Sequence, residues 1–225
     1  MVILKNCFIT GSGSGLGKEL ALLYSQKSFH VHLAGRNIEK LAAVKREIEA
    51  AGGVATIYSL DVSQPESIEK IAASLQSSGC SIDILINNAG IGMFGPFSDT
   101  TVEMMETIFS VNVYAPILLT KAFLPLLTSS GMVINIISTA GLRGKKHEAI
   151  YCASKFALRG LTESLQKEYE GSGLRFVAAY MGGMNTPFWD HSNHVEHPSR
   201  FPLPKEIAKQ IVHEAEEQLE VIIKT

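Results

Sequence analysis

Tyr151 and Lys155 stand four residues apart in the run YCASKFALRGL, whose pattern is helical. That spacing puts both side chains on one helix face. A free tyrosine ionises near pH ~10 and neither gives nor takes a proton readily at neutrality. A neighbouring ammonium favours the phenolate, so Lys155 is expected to lower the Tyr151 pKa and poise it as a general acid/base. The pair alone also fits a solvated helix surface. Ser138 adds to it: it ends the apolar run MVINIIS ahead of Tyr151, where its hydroxyl could reach the carbonyl that Tyr151 protonates. A serine at a strand end is also an ordinary turn residue. Asn112 lies inside the helical stretch ETIFSVNVYAP, where asparagine is unfavourable. A buried amide there needs partners. Holding a water for proton relay would supply them, and so would a kink satisfied by the helix backbone.

The second constellation is TGSGSGLG, from Thr10 to Gly17, directly after VILKNCFI. The dinucleotide fingerprint G-x-G-x-x-G does not fit, because Leu16 or Lys18 falls where its last glycine belongs. The P-loop does not fit either, with Ser12 and Glu19 at two of its required positions. What remains is Thr-Gly-x-x-x-Gly-x-Gly on Thr10, Gly11, Gly15 and Gly17. Such a turn serves either tight packing or a phosphate, and its context decides.

The elements supply that context. Strands are predicted at 2–10, 30–34, 54–59, 82–87, 132–138 and 174–180, with EVIIKT as a seventh. Helical patterns fill 16–26, 38–51, 65–77, 102–127 and 150–169. Runs such as DILIN and MVINIIS are apolar without alternation, as strands buried on both faces must be. The alternation predicts an α/β fold: a Rossmann-type doubly wound parallel sheet with helices on both faces, one domain over residues 1–225. The glycine turn then follows strand one and opens a helix. Its backbone N–H groups and the helix dipole make a seat for a pyrophosphate, lined by Gly11, Ser12, Gly13, Ser14, Gly15, Leu16 and Gly17. The segment 182–204, rich in Pro, Gly and His, breaks the rhythm at the carboxyl edge of the sheet, where ligands bind in such folds. Met93, Phe94, Phe97, Met184, Phe188 and Trp189 flank this cleft; they fit an apolar substrate pocket or ordinary core.

With 46% hydrophobic and 19% charged residues, the chain is expected to bury a substantial core. A net charge of −2 gives no support for a nucleic-acid or acidic-membrane partner. The longest apolar stretch is broken by Pro116, Lys121 and Pro125, so no membrane span is expected. No export signal is visible, and Cys7, Cys80 and Cys152 form no C-x-x-C pair. Reduced thiols in the cytoplasm are the simpler expectation. His191, His194 and His197 lack an acidic or cysteine framework and are better explained as a polar loop than as a metal site. Cys152 has no histidine partner and fits a small helix residue.

The ordered set TGSGSGLG, Asp61-Val62, Asn87-Asn88-Ala89-Gly90, Asn112, Ser138, YCASK and MGGMNT resembles the short-chain dehydrogenase/reductase family in its compact form. The resemblance implies hydride transfer between an alcohol and a carbonyl with NAD(P)(H). It implies Tyr151 as acid/base, Lys155 as the group that lowers its pKa and binds the nicotinamide ribose, and Ser138 as the residue that orients the substrate oxygen. Asn112 would hold the relay water. Asp61 and Val62 would border the adenine, with Asn88, Ala89 and Gly90 on the adenosine side. Gly182, Met184 and Thr186 would stand beside the nicotinamide, where Met181 replaces a usual proline.

In the same resemblance Gly35 occupies the place of an aspartate that reads NAD, and Arg36 follows it, so NADP(H) is expected ahead of NAD(H). Ser14 stands where many NADP-dependent relatives carry a second basic residue, which leaves Arg36 as main phosphate partner with Ser12 and Asn37 as possible donors. The helices at 102–127 and 150–165 are apolar on more than one stripe, consistent with a homodimer or homotetramer. The expected substrate is a small or medium carbonyl compound or secondary alcohol. The competing class is a non-catalytic NAD(P)-binding regulator, which would have no need of a proton donor.

Overall fold

The computed structural model describes residues 4–190 and 192–223. The predicted strand start at Val2 and Ile3, His191, and the last two residues of EVIIKT lie outside them. Seven parallel strands form one sheet: β1 (Lys5–Thr10), β2 (Phe29–Gly35), β3 (Val54–Ser59), β4 (Ile82–Asn87), β5 (Leu127–Ile136), β6 (Arg175–Met181) and β7 (Glu220–Ile223). Their order is β3-β2-β1-β4-β5-β6-β7. It reverses between β1 and β4, the switch point where a doubly wound sheet opens a crevice.

The helices are α1 (Gly15–Gln26), α2 (Ile38–Ala50), α3 (Pro65–Ser77), α4 (Val102–Phe109), α5 (Ala115–Phe123), α6 (Ala149–Glu168) and α7 (Pro204–Glu214). Period two in the strands divides the core. Cys7 and Ile9 of β1 pack with α1, α2 and α7 on one face, while Phe8 packs with α3 and α5 on the other. Phe8, Phe123, Phe176 and Tyr180 are among its largest fully buried side chains.

The predicted helix 102–127 is divided. Ser110–Tyr114 forms a π-helical turn between α4 and α5, and Leu124–Leu126 a 3₁₀ turn before β5. Pro116 accounts for the break, because it has no N–H to offer the Asn112 carbonyl four residues back. By length and composition the run Val102–Leu126 could cross a membrane, and 44% of its most apolar window is buried inside the fold. β5 begins five residues earlier than predicted and stops at Ile136, so Ser138 lies beyond the strand rather than closing it.

Candidate active site

At the switch point the chain encloses a cavity of about 830 Å³, running from the glycine turn past the end of β4 to the start of α6. Its floor is backbone. Gly11 and Gly15 have φ of 65° and 54°, the left-handed region that favours glycine. A Cβ on Gly17 would stand 2.3 Å from the Gly11 carbonyl oxygen. Helix α1 begins here with Ser14 at its N-cap, and that side chain makes no capping bond. The first N–H groups of a twelve-residue helix are thus left uncapped beside the cavity, as an anionic group requires. By contrast α2 is capped, because Asn37 Oδ1 accepts from the Lys40 N–H at 2.9 Å. A dinucleotide fits this floor: it is long, glycine-lined and carries unspent donors at the place of a pyrophosphate.

The turn is stitched to its neighbour. Thr10 Oγ1 accepts from the backbone N–H groups of Asn88 and Ala89 at 3.1 and 3.0 Å. Asn88 Nδ2 donates to the carbonyls of Thr10 and Gly11 at 2.8 and 3.2 Å. Gly35, Arg36, Asn37, Asp61 and Val62 line one end of the cavity, with Arg36 exposed. The Ser63 hydroxyl and N–H bond Asp61 Oδ1 at 2.7 and 3.0 Å and, helped by Arg36, hold its carboxyl below the ordinary range.

At the other end stand Ser138, Tyr151 and Lys155. Tyr151 and Lys155 are both buried on one face of α6. Lys155 Nζ lies 5.8 Å from the Tyr151 ring centre and donates to the Ile136 carbonyl at 3.0 Å. Burial lowers the lysine to about 8. Burial also pushes the Tyr151 phenol well up, and the Ser138 hydroxyl bonded to it acts in the opposite sense. The lowering expected from Lys155 is not found, because removal from water dominates the phenol. Ser138 has a φ of 118°, rare for any side chain, and its Oγ accepts from the Ala140 N–H at 3.2 Å. Strained residues of this kind concentrate at functional sites.

The family model for short chain dehydrogenase matches residues 5–197. The chain belongs to the short-chain dehydrogenase family. A sepiapterin reductase of Chlorobaculum tepidum is 29% identical over 91% of this chain and 87% of its own length. A 3-ketodihydrosphingosine reductase of Bos taurus is 32% identical over 92% of this chain and 67% of its own. A metagenomic short-chain oxidoreductase solved with NADP superposes with a TM-score of 0.82 at 31% identity, covering 97% of this chain and 96% of that one. An alcohol dehydrogenase of Thermococcus sibiricus shares the fold at a TM-score of 0.89 and 23% identity, over 98% and 96% of the two chains. The protein is an oxidoreductase of this family.

Within this short-chain dehydrogenase some expected site residues take other places. Ser12 is fully buried, with its hydroxyl 3.4 Å from the Ala34 carbonyl, so it turns into the sheet and cannot serve a phosphate. The Asn37 oxygen is spent on the α2 cap, which leaves only its Nδ2 for a ligand. Asn88 spends its Nδ2 on the glycine turn, which leaves only its Oδ1 for a ligand. Asn112 is buried behind the cavity wall. Its Oδ1 accepts from the Ile91 N–H at 2.9 Å, and its Nδ2 donates to the Ile91 carbonyl at 2.9 Å and Ser154 Oγ at 3.1 Å. Both donors are taken, so the amide holds the backbone at Ile91. Ala89, Gly90, Gly182, Met184 and Thr186 line the cavity. Thr186 comes within 3.3 Å of where a Gly15 Cβ would stand, joining the loop at 182–204 to the glycine turn.

Of the apolar residues, Met93, Met184, Phe188 and Trp189 line the cavity, while Phe97 is 72% exposed and faces away. Phe94 packs edge-on against Tyr151 with centroids 5.3 Å apart. Two features escaped the sequence reading. A buried chain runs from Asn87 Nδ2 to Asn135 Oδ1 at 2.8 Å, then from Asn135 Nδ2 to Thr162 Oγ1 at 2.8 Å, tying β4, β5 and α6 together. His194 is no solvated loop residue: it stacks on Phe94 and meets Glu148 Oε1 at 3.1 Å. Apolar strand patterning hid the first, and only tertiary contact makes the second.

Proposed function

We propose that this short-chain dehydrogenase transfers a hydride between NADP(H) and a small or medium carbonyl compound or secondary alcohol. The observation that carries the reading is the convergence of Ser138, Tyr151 and Lys155 at one end of a cavity whose other end is a glycine cradle. A bound nicotinamide cofactor supplies or accepts the hydride. Everything else falls to the chain. Tyr151, kept a phenol by burial, gives its proton to the carbonyl oxygen in reduction and takes it back in oxidation. Ser138 holds that oxygen. Lys155, fixed by the Ile136 carbonyl, presents its charge to the tyrosine and would bind the ribose of a nicotinamide cofactor, which Gly182, Met184 and Thr186 of the cavity lining would hold. A relay water is assigned to the Asn112 backbone carbonyl, whose α-helical partner would be Pro116; Asn112 Oδ1 and Lys155 Nζ border the nearby wall, 3.4 and 3.6 Å from where a Gly90 Cβ would stand.

Arg36 beside Gly35 supports a 2′-phosphate, and an NADP-bound relative at 31% identity points the same way. Residues 1–225 act as one domain built on one continuous sheet. Val102, Met105, Tyr114, Ile117 and Phe156 expose apolar surface on the α4–α5 and α6 sides, which supports a homodimer or homotetramer. Sedimentation showing only monomer at micromolar concentration overturns that assembly. Three unpaired thiols support a cytoplasmic setting.

The test is NADPH oxidation against a broad carbonyl panel. Turnover with at least one carbonyl is expected. No turnover with any would favour a dinucleotide-binding regulator instead.

A further inference from the structure

Glu148 stands at the N-cap of α6, three positions before Tyr151, and its side chain makes no capping bond. The residue is only 7% exposed, yet it lines the cavity. Its Oε1 meets His194 Nε2 at 3.1 Å, and its Oε2 lies 4.0 Å from Lys145 Nζ, the outer limit of an ion pair. A carboxylate taken out of water must be paired, and the partners here are a histidine on a loop and a lysine at the limit of reach. The wall beside it is aromatic. Phe94 stacks on His194 with centroids 4.5 Å apart and on Trp189 at 5.6 Å, and it touches the Tyr151 ring edge-on. Gly92 makes this packing possible, since a Cβ there would stand 2.4 Å from the Phe94 ring.

A buried carboxylate whose histidine partner lies on the face of Phe94, one helical turn from the proton donor, has the chemistry of an ammonium site. We propose that Glu148 determines specificity: the substrate is a ketone or aldehyde that carries a protonated amine, and the ammonium takes His194's place on Glu148. The inference rests on the carbonyl-reductase reading above. The Phe94 face that His194 vacates holds the cation, while the carbonyl reaches Tyr151 and Ser138. His194, on the 182–204 loop, keeps the carboxylate partnered until substrate enters. The groups facing Glu148 are Lys145, His194 and Tyr151. Lys145 weakens the preference without reversing it, because its ammonium is 30% exposed and only just in reach.

The test uses the full chain with NADPH at neutral pH and matched ketones of equal shape. N-methylpiperidone is compared with methylcyclohexanone, and dimethylaminobutanone with methylhexanone. The ammonium-bearing member is expected to have a kcat/KM about ten- to a hundredfold higher. Glu148→Gln should bring that ratio close to one, and Glu148→Asp should restore part of it. The ratio is insensitive to the fraction of a variant that folds, so a merely structural role for Glu148 would not move it. Preference for the neutral ketones, or a ratio that Glu148→Gln leaves unchanged, overturns the proposal. Turnover of the carbonyl panel without either amino ketone overturns it alone. Failure of the whole panel overturns the reductase reading with it.

Discussion

The turn after β1 and the turn after β5 both leave ordinary backbone space, and they do so with different residues. The first uses glycine, with φ of 65° at Gly11 and 54° at Gly15. The second uses serine, with φ of 118° at Ser138. Glycine adopts such angles without strain, whereas a side chain there costs about 1–3 kcal/mol. The difference follows from what each turn contributes. The first offers backbone N–H groups and needs the absence of side chains. The second brings a hydroxyl to Tyr151, which a glycine could not supply, so strain stands where glycine would remove it. At this sheet edge the first turn presents backbone and the second a side chain.

The hardest way to break this division is to remove the reacting group. Tyr151→Phe keeps the ring on Phe94 and deletes the hydroxyl. Turnover is expected to fall about a thousandfold while NADPH affinity, followed by cofactor fluorescence, stays within a few-fold. Near-normal turnover would take the acid/base role away from Tyr151.

Gly17→Ala attacks the other turn. Its methyl would press on the Gly11 carbonyl and on Asn88 Nδ2, at 2.3 and 2.5 Å. We expect cofactor affinity to drop about a hundredfold and stability to fall by about 1–3 kcal/mol, read by titration and urea unfolding. Unchanged affinity would mean that the cradle tolerates a side chain after all.

Ser138→Gly sharpens the comparison, because it exchanges the residue type of one turn for that of the other. Strain relief less the lost bond to the Ala140 N–H should raise stability by about 1 kcal/mol. Turnover should fall about ten- to a hundredfold, in the direction opposite to stability. A loss of both would show that the serine is structural.

How much of this was legible in the sequence follows the same division. The glycine turn, the Tyr151–Lys155 pair and the buried strands were readable because each is a local pattern with one physical meaning. The inward turn of Ser12, the Asn87–Asn135–Thr162 chain and the contact of His194 with Glu148 were not. Each depends on partners more than twenty residues away. Asn112 was readable as a buried amide, but its partners were not, since Ile91 reaches it only after β4 has placed the loop.

A pH effect lies outside the sheet edge. His32 is bonded to Tyr58 OH at 3.2 Å and Asn6 Oδ1 at 3.0 Å, and burial holds its pKa down from 6.5 to about 3. The folded state therefore binds fewer protons than the unfolded chain. Stability from this group is complete above the unfolded value and is lost as pH falls towards the folded one, at no more than about 1.4 kcal/mol per pH unit. Urea titrations between these pH values should show that slope, and His32→Gln should flatten it. An unchanged slope in the variant would assign the acid loss to other groups.

The central claim is that the cradle selects the cofactor independently of the chemistry at Tyr151. Its most direct test is kcat/KM with NADPH and NADH, in wild type and in Arg36→Ala, with the KM of the carbonyl followed throughout. A charge-assisted contact of about 1.5–3 kcal/mol predicts a wild-type preference for NADPH of about ten- to a hundredfold. Arg36→Ala should bring the two cofactors close to parity and leave the carbonyl KM unchanged. Equal wild-type values, or a preference for NADH that Arg36→Ala does not alter, would contradict the account.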